Sequence, residues 1–266
     1  MNRNSRQVFD VGRIRQETGI RHVEYHAQLA STNATAVELA GLLLDVAPAL
    51  VLTGRQTAGR GRGANAWWST TGALTFSLLI DGESTGLPRE QRGMISLAAG
   101  AAVRDVLDAL LGTCTAMIKW PNDVYVDQRK ICGILTEQTT RQTRSAIIIG
   151  IGINVNNSLA DAPGEIREAA TSLFDVTGAS FDLSALLIDV ANQLDYRISQ
   201  LVHRDAALIR DINSWSLLSD RFVTISAGPE IHAGRCEGID GDGCLLLRNA
   251  SGAVTKHLSG IVQQWK

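Results

Sequence analysis

Two apolar runs, residues 49–53 and 73–80, read as strands, and the segment between them has no helical pattern. That segment, residues 54–68, reads Gly-Arg-Gln-Thr-Ala-Gly-Arg-Gly-Arg-Gly-Ala-Asn-Ala-Trp-Trp. It is a loop between strands, not a glycine turn opening a helix, which argues against a dinucleotide-binding βαβ unit. Glycine lets a backbone approach a ligand closely, and arginine brings a fork of donors that fits carboxylate and phosphate oxygens. The stretch predicts a loop that closes over an anionic ligand and its phosphate. On this stretch alone, a solvated glycine-rich hairpin is the alternative.

The rest of the chain alternates strands and helices without a regular βαβ repeat. Residues 1–20 suggest a short helix or arm, and 23–26 a strand. Ser31-Thr32-Asn33 precedes a helical pattern over 34–44, and either hydroxyl is a natural N-cap. A long helix is expected over 88–111 and strands over 116–120, 124–126, 131–138 and 146–149. Residues 155–180 look irregular, with a short element starting at Thr171; helices are expected over 183–201 and 206–218. Beyond them, short alternating strands with turns at 240–243 and 249–252 suggest a small β-barrel. The order favours an α+β fold: a mixed or antiparallel central sheet with flanking helices in residues 1–219, and a β domain in 220–266.

Composition narrows function mainly by exclusion. A net charge of −2 offers no basic field for nucleic acid. The longest apolar stretches are broken by charges and proline, so no membrane span is expected, and the N-terminal segment does not resemble a signal peptide. Cys114, Cys132, Cys236 and Cys244 are widely spaced and read as reduced thiols, which points to the cytoplasm.

Three further motifs carry chemistry. In Lys119-Trp120-Pro121-Asn122-Asp123 a cation and a carboxylate flank a proline bend and can share one cleft. Lys119 could meet phosphate, and Asp123 could hold magnesium through phosphate oxygens or order a basic partner. A surface ion pair at a strand end is the plainer alternative. Lys130-Ile-Cys-Gly133-Ile-Leu135 puts a lysine at the mouth of a buried strand, where partial desolvation strengthens its charge; a lysine snorkelling from the strand end fits equally. Gly150-Ile-Gly-Ile-Asn154 could let a base approach, or could simply end a strand.

In this order the pieces resemble a biotin–protein ligase: Ser31 to Asn33, Gly59 to Arg62, Lys119 to Asp123, Lys130 to Leu135 and Gly150 to Asn154. The resemblance covers roughly residues 23–157. It implies a class II synthetase-like catalytic fold with an SH3-like C-terminal domain. It also implies a two-step reaction in which biotin and Mg-ATP give biotinyl-5′-adenylate, and a lysine of a biotin carboxyl carrier domain takes the biotinyl group. By position, Ser31, Thr32, Asn33 and Gln56 would bind the biotin head group. Gly59, Arg60, Gly61 and Arg62 would wrap biotin and phosphate, with Arg60 placing the reacting carboxylate. Lys130 would contact carboxylate and α-phosphate, with Gly133 beside biotin. Lys119, Asn122 and Asp123 would serve ATP, magnesium and the incoming amine. Asn154 would meet adenine, and Trp67 would pack on the ordered loop.

The chain departs from the family pattern at Gly63-Ala-Asn-Ala66, where further basic residues are usual, and no C-terminal basic residue clearly matches; Trp265 sits near the expected place and Lys256 could substitute. Ser31 comes too early to leave room for a DNA-binding domain, so a ligase without that function is expected, as monomer or homodimer. Lipoate–protein ligases share the chemistry, but their arginine-arginine…glycine-glycine-glycine signature is missing. A sensor that binds biotin without transfer is disfavoured by the presence of both Lys119 and Lys130.

Overall fold

Alternation along the strands sets the architecture. In residues 49–53, Leu50 and Leu52 join one apolar cluster while Ala49 and Val51 join another, as the two-residue period of a strand dictates. A strand buried on both faces needs cover on both, and helices supply it. The computed structural model describes residues 9–160 and 162–266. Residues 1–8 of the expected N-terminal arm lie outside the described residues.

Helix α1 (Val11–Glu17) and strand β1 (His22–His26) lead to helices α2 (Thr32–Glu38) and α3 (Ala40–Leu43) and strand β2 (Ala49–Thr53). A small hairpin, β3 (Gly59–Arg60) and β4 (Ala66–Trp67), precedes β5 (Leu74–Asp81). Helix α4 (Ile95–Asp108) is followed by β6 (Ala116–Lys119), β7 (Asp123–Val126), β8 (Arg129–Arg141) and β9 (Arg144–Ile153). Then come α5 (Gly164–Ala169), α6 (Leu173–Thr177), α7 (Leu183–Val202) and α8 (Ala206–Ser214). The chain ends in β10 (Phe222–Ala227), β11 (Glu230–Ile239), β12 (Leu245–Arg248), β13 (Val254–His257) and β14 (Ile261–Trp265).

The central sheet runs β1-β2-β5-β9-β8-β7-β6, parallel between β1 and β2 and antiparallel at its other pairings, so it is mixed. Helices α4 and α7 cover one face, and α2 and α3 pack on the other. On the α2 face, cross-strand rows shrink along the sheet. Leu79 stands beside Ile148 and Glu137, then Ser77 beside Gly150 and Leu135, then Thr75 beside Gly152 and Gly133. Small residues at paired positions leave a hollow on that face, and the hollow becomes the site.

Residues 222–265 form a second, antiparallel sheet ordered β13-β12-β11-β10-β14. Its Val223, Ile225, Ile239 and Leu245 belong to the same apolar cluster as the main core. Trp120, fully buried, donates from its indole Nε1 to the Gly243 carbonyl at 3.0 Å across the seam. Asn213 clamps Ile239 from both sides, accepting from its N–H at 2.7 Å and donating to its carbonyl at 2.9 Å. Truncating a fully buried tryptophan typically costs about 3–5 kcal/mol, so Trp120 is a principal tie between the sheets. No helix of the described residues is long and apolar enough to cross a membrane.

Several expected boundaries shift for tertiary reasons. The helix expected over 34–44 starts at Thr32 and breaks at Leu39 into two pieces. The helix expected over 88–111 opens as a 3-10 turn, Arg89–Met94, in which the buried Arg92 donates to the Gly82 carbonyl at 2.7 Å. The span 155–180 holds two short helices, the second capped by Ser172. The 206–218 helix stops at Ser214. The glycines of the Gly150 motif lie inside β9, not at its exit, because pairing with β5 and β8 continues to Ile153.

Candidate active site

The hollow on the α2 face is a cleft of about 480 Å³. Its floor is neutral and closely hydrogen-bonded. Ser31 is the N-cap of α2, its hydroxyl accepting from the Ala34 N–H at 3.4 Å. Capping pins the helix N-terminus so that Thr32 and Asn33 face the sheet. Thr32 donates its backbone N–H to Gln56 Oε1 at 2.7 Å. The Ser77 hydroxyl lies 2.7 Å from Thr32 Oγ1 and 2.6 Å from Asn33 Oδ1. Asn33 Nδ2 donates to the Leu135 carbonyl at 3.0 Å and to Glu137 Oε2 at 2.8 Å. Ser31, Thr32, Asn33, Gln56 and Ser77 are all buried. A Cβ at Gly150 would overlap the Asn33 side-chain oxygen, so glycine there lets the amide settle onto the sheet.

The other end is charged. Lys130 Nζ and Asp123 Oδ1 form an ion pair at 2.6 Å. Asp123 thus has a basic partner within the cleft. Lys119 is 8% exposed, with its Nζ 4.0 Å from the Trp265 ring centroid and 5.1 Å from that of Tyr125. It also donates to the Tyr125 hydroxyl at 3.3 Å. Burial pulls the Lys119 pKa down to about 8; the Asp123 charge opposes this and the Lys130 charge adds to it. Burial, with the Asp123 charge, pushes the Tyr125 phenol up, so it stays neutral.

The glycine–arginine segment is an ordered hairpin over the cleft, Gly59 pairing with Trp67 and Arg60 with Ala66. Gly63 at its tip has φ +66°, a left-handed conformation that suits glycine. Arg60 Nη2 donates to Glu137 Oε1 at 2.9 Å, and Arg62 Nη1 to the Gly260 carbonyl at 2.6 Å. The two arginines therefore tie one hairpin to both sheets. The Trp67 ring lies over Gly152, where a Cβ would sit 2.5 Å from Cε2. Its indole Nε1 is buried without a hydrogen-bond partner among the described residues.

Ser31, Thr32, Asn33, Gln56, Arg60, Gly61, Arg62, Trp67, Lys119, Asn122, Asp123, Lys130 and Gly133 all line this cleft. Gly59 does not; it is the pairing residue under Trp67, and a Cβ there would strike the Trp67 carbonyl. Asn154, expected at adenine, lies behind the cleft wall. It does not line the cleft, its Nδ2 donates to the Thr171 carbonyl at 3.0 Å, and its Oδ1 accepts from Asn157 Nδ2 at 3.1 Å. Asn122 lines the cleft, but its Nδ2 donates to the Ile134 carbonyl at 2.6 Å, which pins the proline bend to β8. Sequence reasoning missed the far wall, contributed by residues 226–228 and 259–262 of the second sheet, and Ser77 and Glu137, which hold Asn33 from behind the floor. Ser77 and Glu137 did leave a signal, as polar residues on the alternation that faces α2.

Comparison with known proteins agrees with this geometry. Residues 26–154 match the model of the Biotin/lipoate A/B protein ligase family. The biotin--[acetyl-CoA-carboxylase] ligase of Mycobacterium tuberculosis is 32% identical over 233 residues, covering 86% of this chain and 84% of the relative. The enzyme of the same name from Paracoccus denitrificans is 33% identical, covering 85% of this chain and 94% of the relative. The crystal structure of the Aquifex aeolicus biotin protein ligase in complex with biotin and ATP superposes with a TM-score of 0.78 at 26% identity, over 93% of this chain and 99% of that one. With relatives 32–33% identical and covered over 84–94% of their length, this chain belongs to the biotin–protein ligase family.

Proposed function

We propose that the chain joins biotin to a lysine of a carboxylase's biotin carboxyl carrier domain, using ATP, through biotinyl-5′-adenylate. The observation that carries this reading is the division of one cleft into a neutral hydrogen-bonding floor and a cationic end, roofed by an arginine-bearing hairpin. In the first step a biotin carboxylate oxygen attacks the ATP α-phosphorus. A P–O bond forms, the α–β bridging P–O bond breaks, and pyrophosphate leaves. In the second step the neutral amine of the carrier lysine attacks the anhydride carbonyl, AMP leaves with the C–O bonding pair, and the amine sheds a proton.

Neither step needs a protein nucleophile; both need neutralised phosphoryl charge and excluded water. Ser31, Thr32, Asn33 and Gln56 hold the uncharged head group. Arg60 steers the carboxylate, with Gly61 and Arg62 wrapping the reacting groups, Gly59 seating the hairpin against Trp67 and Gly133 giving close approach. Lys130 spans carboxylate and α-phosphate, the position from which it stabilises charge in both steps. Lys119 meets the outer phosphates, and Asp123 sits where it can receive the amine's proton. Trp67, with its free indole N–H, closes the nucleotide side. Magnesium carried by the nucleotide supplies further charge neutralisation. The residues fit it only in that form: Asp123 is the carboxylate at this end, already beside Lys130, and would hold the ion through phosphate oxygens. We assign catalysis to residues 1–219 and a wall of the cleft to the domain 220–266. The free thiols fit a cytoplasmic enzyme.

Pyrophosphate release by the purified chain with Mg-ATP and either biotin or lipoate tests this. Biotin-dependent release, followed by labelling of an added carrier domain, is expected. Release with lipoate alone overturns the substrate assignment, and biotin binding without release overturns the enzymatic one.

A further inference from the structure

The polar groups under the hairpin form a chain that begins and ends in the same loop. Gln56, at the foot of the hairpin, accepts from the Thr32 N–H, and Thr32 Oγ1 lies 2.7 Å from the Ser77 hydroxyl. Ser77 contacts Asn33 Oδ1, and Asn33 Nδ2 reaches Glu137 Oε2. The other oxygen of Glu137 returns to Arg60 at 2.9 Å, four residues after Gln56. The direction of the protons follows from donor chemistry. The Leu135 carbonyl only accepts, so the Asn33 nitrogen faces it and Glu137, and Oδ1 faces Ser77. Ser77 must then donate to Asn33, which leaves Thr32 to donate to Ser77. Thr32 Oγ1 also lies 3.2 Å from Gln56 Oε1, but its one proton goes to the nearer Ser77; the chain ends on a carboxylate that receives two donors, from Asn33 and from Arg60.

As a surface ion pair, Arg60–Glu137 would contribute little to stability, since Arg60 is half exposed. Its value is geometric. It fastens a glycine-rich hairpin, otherwise costly to order, to the floor at Asn33.

We propose that Glu137 is a positioning residue for the ligase reaction, holding Arg60 and Asn33 at once so that the hairpin closes in register with the Thr32–Ser77–Asn33 floor. This rests on the ligase reading above. Glu137 need not touch substrate; it acts through Arg60, whose remaining N–H groups are left for a ligand carboxylate. Glu137 links the floor at Asn33 to Arg60 of the hairpin, so occupation by the biotin head group and closure of the hairpin favour one another.

Glu137→Gln is the informative change. It keeps size and shape, but a carboxamide has one acceptor oxygen, and its NH2 must face either Arg60 or Asn33, donor against donor. The variant is expected to raise the KM for biotin by about tenfold while kcat for pyrophosphate release at saturating biotin changes by less than about threefold. The KM for ATP stays near wild type. Trypsin cleavage after Arg60 or Arg62 in saturating biotin becomes faster than in wild type. In an Arg60→Gln background, adding E137Q has little further effect on the biotin KM, as expected of coupled residues. E137Q with wild-type biotin KM and cleavage rate overturns the inference. So does a parallel loss for biotin and ATP that tracks a lowered melting temperature, because that is a folding defect. A wild-type chain with no biotin-dependent turnover removes the ligase reading and this inference with it; normal wild-type turnover with an indifferent E137Q removes the inference alone.

Discussion

The two ends of the cleft solve the problem of burying polarity in opposite ways. At the floor, the polar groups of Thr32, Asn33, Gln56 and Ser77 are uncharged and satisfy one another, so their desolvation is offset within the protein. At the other end, Lys119 is buried between two aromatic rings with a phenol as its hydrogen-bond partner, and only Lys130 has a direct carboxylate. Cation–π contact and one hydrogen bond replace only part of an ammonium's hydration, which is why the Lys119 pKa drops to about 8. The floor is complete before ligand arrives; the charged end is short of negative charge. A neutral ring system suits the first and a polyphosphate the second. Gly133, beside Lys130, also lines the cleft.

The largest expected effect breaks the charged end. Lys130→Gln removes the cation placed to serve both steps and leaves Asp123 without its partner. Losing one such electrostatic group commonly costs about 10²–10³ in rate, so kcat for biotin-dependent pyrophosphate release should fall by that order while equilibrium binding of biotin changes far less. An equal loss of biotin binding would mean that the two ends are not separable. Breaking the floor should do the reverse. In Gly150→Ala the added methyl collides with the Asn33 oxygen and must displace the Asn33–Ser77 pair. Overpacking of this kind costs about 1–3 kcal/mol of stability. The KM for biotin should rise on the order of tenfold through the lost hydrogen bonds, with kcat less affected. Calorimetric melting alongside initial-rate kinetics checks both.

The charged end was more legible in sequence than the floor. Lys119 to Asp123 and Lys130 to Gly133 are compact motifs, and each half of the Lys130–Asp123 pair was already a candidate. The floor is assembled from α2, β5, β8 and the foot of the hairpin, so its logic lies in cross-strand register, which no local stretch encodes. Ser77 sits inside a fully buried strand and Glu137 lies two residues past a motif; only the pairing of Ser77 with Gly150 and of Glu137 with Ile148 puts them under Asn33. The setting of Asn154 was not legible either, because the extension of β9 carries its side chain to Thr171 and Asn157. The small sheet was legible in strand count and turns, but its wall on the cleft depends on docking through Trp120 and Asn213, which composition does not reveal.

Lys119 makes the comparison sensitive to pH. Its folded pKa of about 8 lies below its ordinary 10.5, so the free enzyme loses this cation as pH rises through about 8. ATP should prefer the charged form, and kcat/KM for ATP, which reports the free enzyme, should decline above that point by up to about tenfold per pH unit. Stability moves the other way. Between about 8 and 10.5 the unfolded chain binds the extra proton, so this group's contribution rises with pH. Weaker ATP use without a falling melting temperature therefore separates Lys119 titration from alkaline unfolding. Biotin binding, governed by the neutral floor, should stay flat through the same window.

Trp265→Ala sharpens the same point with the smallest effect. The indole lies 4.0 Å from the Lys119 ammonium and does two opposed things, excluding water and offering its π face. The lost cation–π contact amounts to about 0.5–2 kcal/mol, which should lower kcat/KM for ATP a few-fold at pH 7. Desolvation is the leading cause of the Lys119 shift, so readmitting water should outweigh the lost contact and move the midpoint of the pH profile up, toward the ordinary lysine value. A midpoint that moves down instead would show that the aromatic face, not exclusion of water, governs the charge of Lys119. Trp265 would then act on the phosphates by holding the Lys119 cation rather than by drying it. In either case the biotin KM should not move, because Trp265 lies outside the chain of hydrogen bonds that builds the floor.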